Sequence, residues 1–267
     1  MLNSDTITAL ARELQTARTT RTPIRQLSAR HPDMRIEDGY AIQREWVRLE
    51  LAAGRRIRGR KIGLTSRAMQ LASGITEPDF APLMDDMFFE PGTDIAAAQF
   101  IMPRIEVELA FVLGRPLQGP NCTLFDVLAA TDHVCPALEI IDSRVQPVDP
   151  ETQSSRKVFD TISDFAANAG ILLGGRPVRP HEVDLRWVSA LLYKNSVIEE
   201  SGVAAAVLNH PANGVAWLAN KIAPYGEQLN AGDIVLGGSF TRPVTVAAGD
   251  SFHADYGPLG SIACRFI

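Results

Sequence analysis

Apolar residues recur at helical spacing at the start of the chain. Ile7, Leu10, Ala11 and Leu14 share one face behind Ser4 and Asp5, which predicts a capped helix. Thr22-Pro23 predicts the cap and first position of a short second helix. Asp38 predicts the start of a third, carrying Tyr40, Trp46, Val47 and Leu51 and ended by Gly54. The pattern then changes. Short β-like runs bounded by Gly, Pro, Asn and Asp follow at 57–64, 104–113, 136–142, 170–173, 188–200, 233–236, 243–247 and 261–267. Two helices interrupt them. Thr123 predicts the cap of one running through Val127 to Ala130; Asn213 predicts the cap of another, with Val215, Leu218, Ala219 and Ile222 on one face. Strand runs with sparse helices predict an α+β fold rather than a regular βαβ alternation.

Composition narrows the classes. With 267 residues, 46% hydrophobic and 21% charged, the chain can bury a large core without disulfides. A net charge of −5 argues against a nucleic-acid partner. The one basic run, Arg55, Arg56, Arg58, Arg60 and Lys61, reads as a solvated strand edge or as an anion-attracting rim. Cys122, Cys135 and Cys264 are far apart and lack metal-site spacing, so they predict reduced thiols. No secretory signal and no membrane-spanning run is evident, and a cytoplasmic location is expected. Only four of the 26 basic side chains are Lys: Lys61, Lys157, Lys194 and Lys221. Lys can trade protons when buried and Arg cannot, so those positions merit scrutiny.

The most informative run is Arg104-Ile-Glu-Val-Glu-Leu-Ala-Phe-Val-Leu113. Alternation puts Ile105, Val107, Leu109 and Phe111 on one face and Glu106, Glu108, Ala110 and Val112 on the other. Glu106 and Glu108 then lie roughly 6.6 Å apart along an apolar strand. Glu139 lies in a second apolar run, Pro136-Ala-Leu-Glu-Ile-Ile141. Buried carboxylates need compensation by a cation, a basic partner or solvent. Three carboxylates with no nearby His or Cys describe an oxygen-only site, suited to Mg²⁺ or Mn²⁺ and not to zinc. The competing reading is an outward-facing E-x-E on an edge strand, with Glu139 paired to an Arg.

In Arg58-Gly-Arg-Lys-Ile-Gly-Leu64, alternation places Lys61 with Ile57, Gly59 and Gly63, away from Arg58 and Arg60. Burial there predicts a lowered pKa, toward the range of a general base. A surface Lys on a Gly-rich strand is the alternative. Asp79 follows Pro78 in a loop and Lys157 follows Arg156; each reads alone as solvated loop charge. Gly237-Gly-Ser-Phe-Thr241 predicts a small-residue turn, either a plain bulge or a wall of Ser239 and Thr241 hydroxyls around a carboxylate. His31 and His210 precede prolines and read as loop punctuation.

Taken together, several segments resemble the hydratase/decarboxylase family of the fumarylacetoacetate hydrolase superfamily. They are Gly59-Arg-Lys-Ile-Gly-Leu-Thr-Ser66, Glu77-Pro-Asp-Phe80, Pro103-Arg-Ile-Glu-Val-Glu-Leu109, Ala137-Leu-Glu-Ile-Ile-Asp142 and Gly237-Gly-Ser-Phe-Thr-Arg-Pro243. The resemblance covers essentially the whole chain. It implies a mixed β-roll or barrel core, residues 76–267, with a small, mainly helical N-terminal region, residues 1–75, whose end contributes Lys61. It implies metal ligation by Glu106, Glu108 and Glu139, with Mg²⁺ as cofactor, and proton-transfer roles for Lys61, Asp79 and Lys157. It implies a homo-oligomer and hydration of a small 2-oxo-alkenedioate in aromatic catabolism, for which Ser239 and Thr241 of the small-residue turn are the substrate-binding candidates. Hydration of a five-carbon dienoate and decarboxylation of an oxo-dioate are rival activities; a carboxylate-binding or structural oligomer is the non-enzymatic one. A dioate needs a distal cation, and Arg60, Arg67, Arg144 and Arg156 are the candidates, with Arg60 the least suited because it faces away from Lys61.

Overall fold

The computed structural model describes residues 1–67, 70–71 and 74–267. Helix α1 (Ser4–Thr20) buries Leu10, Ala11, Leu14 and Ala17. Its cap is Asn3, whose side chain accepts from the Thr6 amide, rather than Ser4 or Asp5. The helix expected at Thr22-Pro23 is absent. Arg21, in the left-handed region, ends α1, and Ile24 forms a parallel bridge to Val145, so this stretch is extended. A one-turn helix, α2 (Leu27–Arg30), follows. Helix α3 (Ile36–Ala52) begins two residues before Asp38, whose carboxylate accepts from the Arg35 amide within the first turn. Trp46 of α3 is fully buried, stacked on Phe165 at a centroid distance of 4.0 Å.

The strands form two sheets. The larger holds β1 (Ile57–Gly63), β2 (Asp79–Met84), β3 (Phe88–Phe89), β5 (Arg104–Leu113), β6 (Thr131–Ile141), β7 (Asn168–Leu173), β10 (Ile234–Leu236) and β11 (Val244–Thr245). Its order is β2-β1-β10-β5-β6-β7-β3, with β11 also paired to β5. The smaller sheet has order β4-β13-β12-β8-β9, from β4 (Asp94–Ile95), β8 (Ser189–Lys194), β9 (Val197–Val203), β12 (Ser251–Asp255) and β13 (Ser261–Phe266). The pairs β1/β10, β3/β7 and β4/β13 are parallel and the others antiparallel, so both sheets are mixed. This is the expected α+β architecture with a helical N-terminal region.

Burial separates the two faces of β5. Ile105, Val107, Leu109 and Phe111 pack in one core with the smaller sheet and with α4 (Leu124–Ala130) and α6 (Pro211–Ile222). Ala110 joins a second core with Ala137, Ile171, Leu236 and the N-terminal helices. The larger sheet is therefore covered on both sides, and the alternation read along β5 has this physical cause. Glu106 and Glu108 share the second face. The cap of α6 is His210, whose Nδ1 accepts from the Ala212 amide, with Pro211 at the first helical position. His210 therefore holds a helix end, the role expected of Asn213. No described helix is long and apolar enough to cross a membrane.

Candidate metal and proton-transfer site

The register of β5 against β6 sets Glu106 directly opposite Glu139, and Glu108 lies two residues along the same face. Cross-strand partners bring side chains within reach. One carboxylate oxygen from each of Glu106, Glu108 and Glu139 falls within 4.8 Å of the others. Glu139 is fully buried and Glu108 nearly so, while Glu106 is half-buried at a cavity. This geometry excludes the edge-strand reading, because β5 is an interior strand between β10 and β6.

Strand β1 delivers Lys61, buried at 3% exposure, with its ammonium 3.2 Å from Glu139 Oε1. The contact is ionic only, since neither Glu139 oxygen has a hydrogen-bond partner of good geometry. Lys61 Nζ donates instead to the Ala166 carbonyl at 2.9 Å. That carbonyl is aimed by three successive non-glycine residues in the left-handed region, Phe165, Ala166 and Ala167. Such backbone costs roughly 1–2 kcal/mol per residue and persists only where packing enforces it. Here the Trp46–Phe165 stack and the bond from the Asp142 amide to the Ala167 carbonyl enforce it.

Strand β2 delivers Asp79, opposite Gly63 in the β1/β2 register. A side chain at Gly63 would run into Asp79 Oδ1 and come within 3.3 Å of Lys61 Nζ, so the glycine leaves room for the two groups. Both Asp79 oxygens are buried without a hydrogen-bond partner. Tyr256 ties the strands together, its hydroxyl lying 2.6 Å from the Ala137 carbonyl and 3.1 Å from that of Glu108. Glu108 Oε2 accepts from the Gly238 amide at 2.9 Å.

Four buried or half-buried carboxyl groups thus share one ammonium. Burial first, and then the charge of Glu139, raises Glu106 to about 7 and Glu108 well above the usual carboxylate range. Burial raises Asp79 to about 6 against the opposing pull of Lys61. The lowered pKa expected for Lys61 is not found. Burial does pull it down, but Glu139, Asp79, Glu106 and Glu108 together raise it above its ordinary value. Desolvation alone would lower it, but the acids facing Lys61 across the sheet outweigh that effect. The orphaned Glu139 oxygens and the crowded acids fit a hard divalent cation, which takes oxygen ligands and offsets clustered negative charge.

A cavity of about 400 Å³ opens beside Glu106 and Glu108. Ser239 and Thr241 line it, as do Thr65, Ser66 and Phe240. Ser239 Oγ donates to the Thr241 carbonyl at 2.9 Å, and Thr241 Oγ1 accepts from the Val107 amide. Lys157 stands apart from the acids: it is exposed at the start of α5 (Val158–Ser163), 5.7 Å from the Phe159 ring. A smaller cavity of about 170 Å³ is lined by Asp79, Tyr40 and Val158, the residue after Lys157.

The four proposed distal cations are absent from the larger cavity. Arg60 pairs with Glu227 at 2.6 Å, Arg144 is buried against Asp164, Arg156 donates to Ser143, and Arg67 is exposed outside the lining. The basic run likewise serves structure, with Arg55 near Asp86 and Arg58 over the Phe88 ring. Tyr256, the Ala166 carbonyl, Gly238 and the Glu200–Arg242 pair at the cavity were not anticipated. Only the Gly237-Gly238 pair carried a sequence signal, that of close backbone approach.

With this fold and this carboxylate cluster, the chain is a member of the fumarylacetoacetate hydrolase superfamily. Residues 57–267 match the family described as fumarylacetoacetate (FAA) hydrolase C-terminal. The chain is 65% identical to the 2-oxo-hept-4-ene-1,7-dioate hydratase of Escherichia coli over 267 residues, all of both chains. It is 37% identical to a 4-oxalocrotonate decarboxylase of Pseudomonas putida, covering 100% of this chain and 98% of the other. Among solved structures it is similar to 4-oxalocrotonate decarboxylase from Pseudomonas putida G7 complexed with magnesium and adipate. The TM-score is 0.95 with 36% identity, over 100% of this chain and 99% of that one.

Proposed function

We propose that this protein is a hydro-lyase that uses Mg²⁺ to hydrate 2-oxohept-4-ene-1,7-dioate to 4-hydroxy-2-oxoheptanedioate in aromatic catabolism. The observation that carries the reading is the buried trio Glu106, Glu108 and Glu139 with Lys61 at 3.2 Å, in a chain 65% identical to a hydratase of that name. Glu106, Glu108 and Glu139 would hold the ion. Its chemistry there is that of a Lewis acid toward the 2-oxo carboxylate end of the substrate.

The rest falls to the chain. The reaction removes a proton from C3 and adds one at C5, which moves the double bond to C3–C4. Water then adds its hydroxyl at C4, and C3 regains a proton. Asp79, with a pKa of about 6, is suited to accept and return protons near neutral pH. Lys61, held as an ammonium, is suited to donate hydrogen bonds to the charged end of the substrate and to orient it. Lys157 would serve the outer end of the proton path, through the small cavity that Val158 shares with Asp79. Ser239 and Thr241 would bound the substrate beside Glu106 and Glu108. A cytoplasmic homo-oligomer belongs to the same proposal. The exposed Val197 and Ile198 on β9 support self-association, and light scattering tests it.

Decarboxylation is the second reading, favoured by the close structural match to a decarboxylase. Product identification by NMR, with the seven-carbon oxo-dioate and the six-carbon 4-oxalocrotonate offered in turn with Mg²⁺, separates the two, because only the six-carbon acid loses CO₂ into a chain conjugated with its 2-oxo group. A new CH–OH signal at C4 with all seven carbons retained supports hydration. Release of CO₂ supports the other branch.

A further inference from the structure

The larger cavity contains one more feature. Arg242 is the one basic side chain among the described residues that line it. Its Nη2 lies 2.7 Å from Glu200 Oε1, and its side chain is 85% exposed, whereas that of Glu200 is 15% exposed. A guanidinium presents five N–H donors in a fixed fork, so this single contact leaves donors for a second carboxylate. The remaining Lys residues outside the site are committed elsewhere: Lys194 to Asp250 and Lys221 to Glu77.

Position supports the same role. The segment carrying Arg242 runs along β5: the Phe240 amide donates to the Val107 carbonyl, and Val244 pairs with Ile105. The backbone at Arg242 is therefore beside the acid cluster, yet its guanidinium reaches away, to Glu200 on β9. The positive charges that act most on Glu106 are Lys61 and Arg104, which again sets the Arg242 head apart from the cluster. The cavity thus has acids at one wall and a cation at another, with Phe240, Ile62 and Ala206 supplying apolar lining. A dianionic chain with one carboxylate at each end matches that distribution.

We infer that Arg242 is the specificity-determining residue that receives the distal carboxylate of the substrate, with Glu200 holding its guanidinium in place until the substrate arrives. The inference rests on the proposed dioate substrate. It replaces Arg60, Arg67, Arg144 and Arg156 in that role.

The test pairs Arg242→Gln with Arg242→Lys. Selectivity is the ratio of kcat/KM on the seven-carbon oxo-dioate to that on the five-carbon monoacid, at saturating Mg²⁺. A charge-assisted contact is typically worth roughly 10- to 150-fold. Arg242→Gln should lower the ratio by about that factor, mainly through KM on the dioate, and Arg242→Lys should recover part of it. Binding of the saturated analogues 2-oxoheptanedioate and 2-oxopentanoate reads the same contact without turnover. Wild type should prefer the dioate and Arg242→Gln should lose that preference. An unchanged ratio, an equal loss on both substrates, or a preference for the dioate analogue in Arg242→Gln as large as that of wild type overturns the inference. A wild type that prefers the dioate analogue but hydrates neither substrate overturns the hydratase reading alone.

Discussion

Lys61 is held by two contacts, the Glu139 carboxylate at 3.2 Å and the Ala166 carbonyl at 2.9 Å. Arg at this position would keep the charge, but its larger planar head cannot take the place of the compact ammonium in the room that Gly63 leaves beside Asp79. Lys61→Arg should therefore fold, by circular dichroism, and lose about 10²-fold or more in kcat. A kcat near wild type would remove Lys61 from the mechanism. The acids give a pH prediction. Glu106 is raised from 4.5 to about 7 and Asp79 from 3.8 to about 6. Between about pH 4 and 7 the folded protein keeps protons that the unfolded chain has lost, so without metal these groups make stability fall as pH rises. A bound divalent cation displaces the proton and restores that stability, so metal affinity rises with pH. The rise in Tm caused by Mg²⁺ should accordingly be larger at pH 7.5 than at pH 5.5, and the pH dependence should shrink in Glu106→Gln. A Mg²⁺ effect independent of pH in the wild type would contradict the proton-linked account.

Two strand pairings assemble the site, and they differed in how plainly the sequence announced them. The β5 run alternated over ten residues, and Glu139 stood alone as an acid in an apolar run, so both ligand strands were legible. Their register, which makes Glu106 and Glu139 face each other, follows from pairing and not from local pattern. Strand β2 was hidden because Pro78 precedes it and Pro82 interrupts it; Pro in a strand is tolerated at a sheet edge, which is where β2 lies. Asp79 consequently read as a loop charge. Tyr256 and the left-handed turn at Phe165–Ala167 act through carbonyls whose place is set by tertiary contacts, so no local pattern announced them. The β1/β2 pairing also yields a prediction. Gly63→Ala would press a methyl group against Asp79 and crowd Lys61. Turnover should fall at least ~10²-fold, as expected for a misplaced acid–base pair, with thermal unfolding shifted far less than for a core cavity. Undiminished turnover would show that the Asp79–Lys61 spacing has no catalytic consequence.

At the scale of the whole molecule, a sheet covered on both faces brings four carboxyl groups into one region with a single buried ammonium. Such an arrangement is costly unless a cation completes it. Metal dependence follows from that cost. It is tested most directly by turnover of the seven-carbon oxo-dioate in protein stripped with EDTA and verified free of metal, before and after adding Mg²⁺, with Glu106→Gln alongside. Turnover should be absent from the stripped protein and return with Mg²⁺, and Glu106→Gln should need much more Mg²⁺, because a neutral amide replaces an anionic ligand. Full turnover in the verified metal-free protein would contradict the three-carboxylate site.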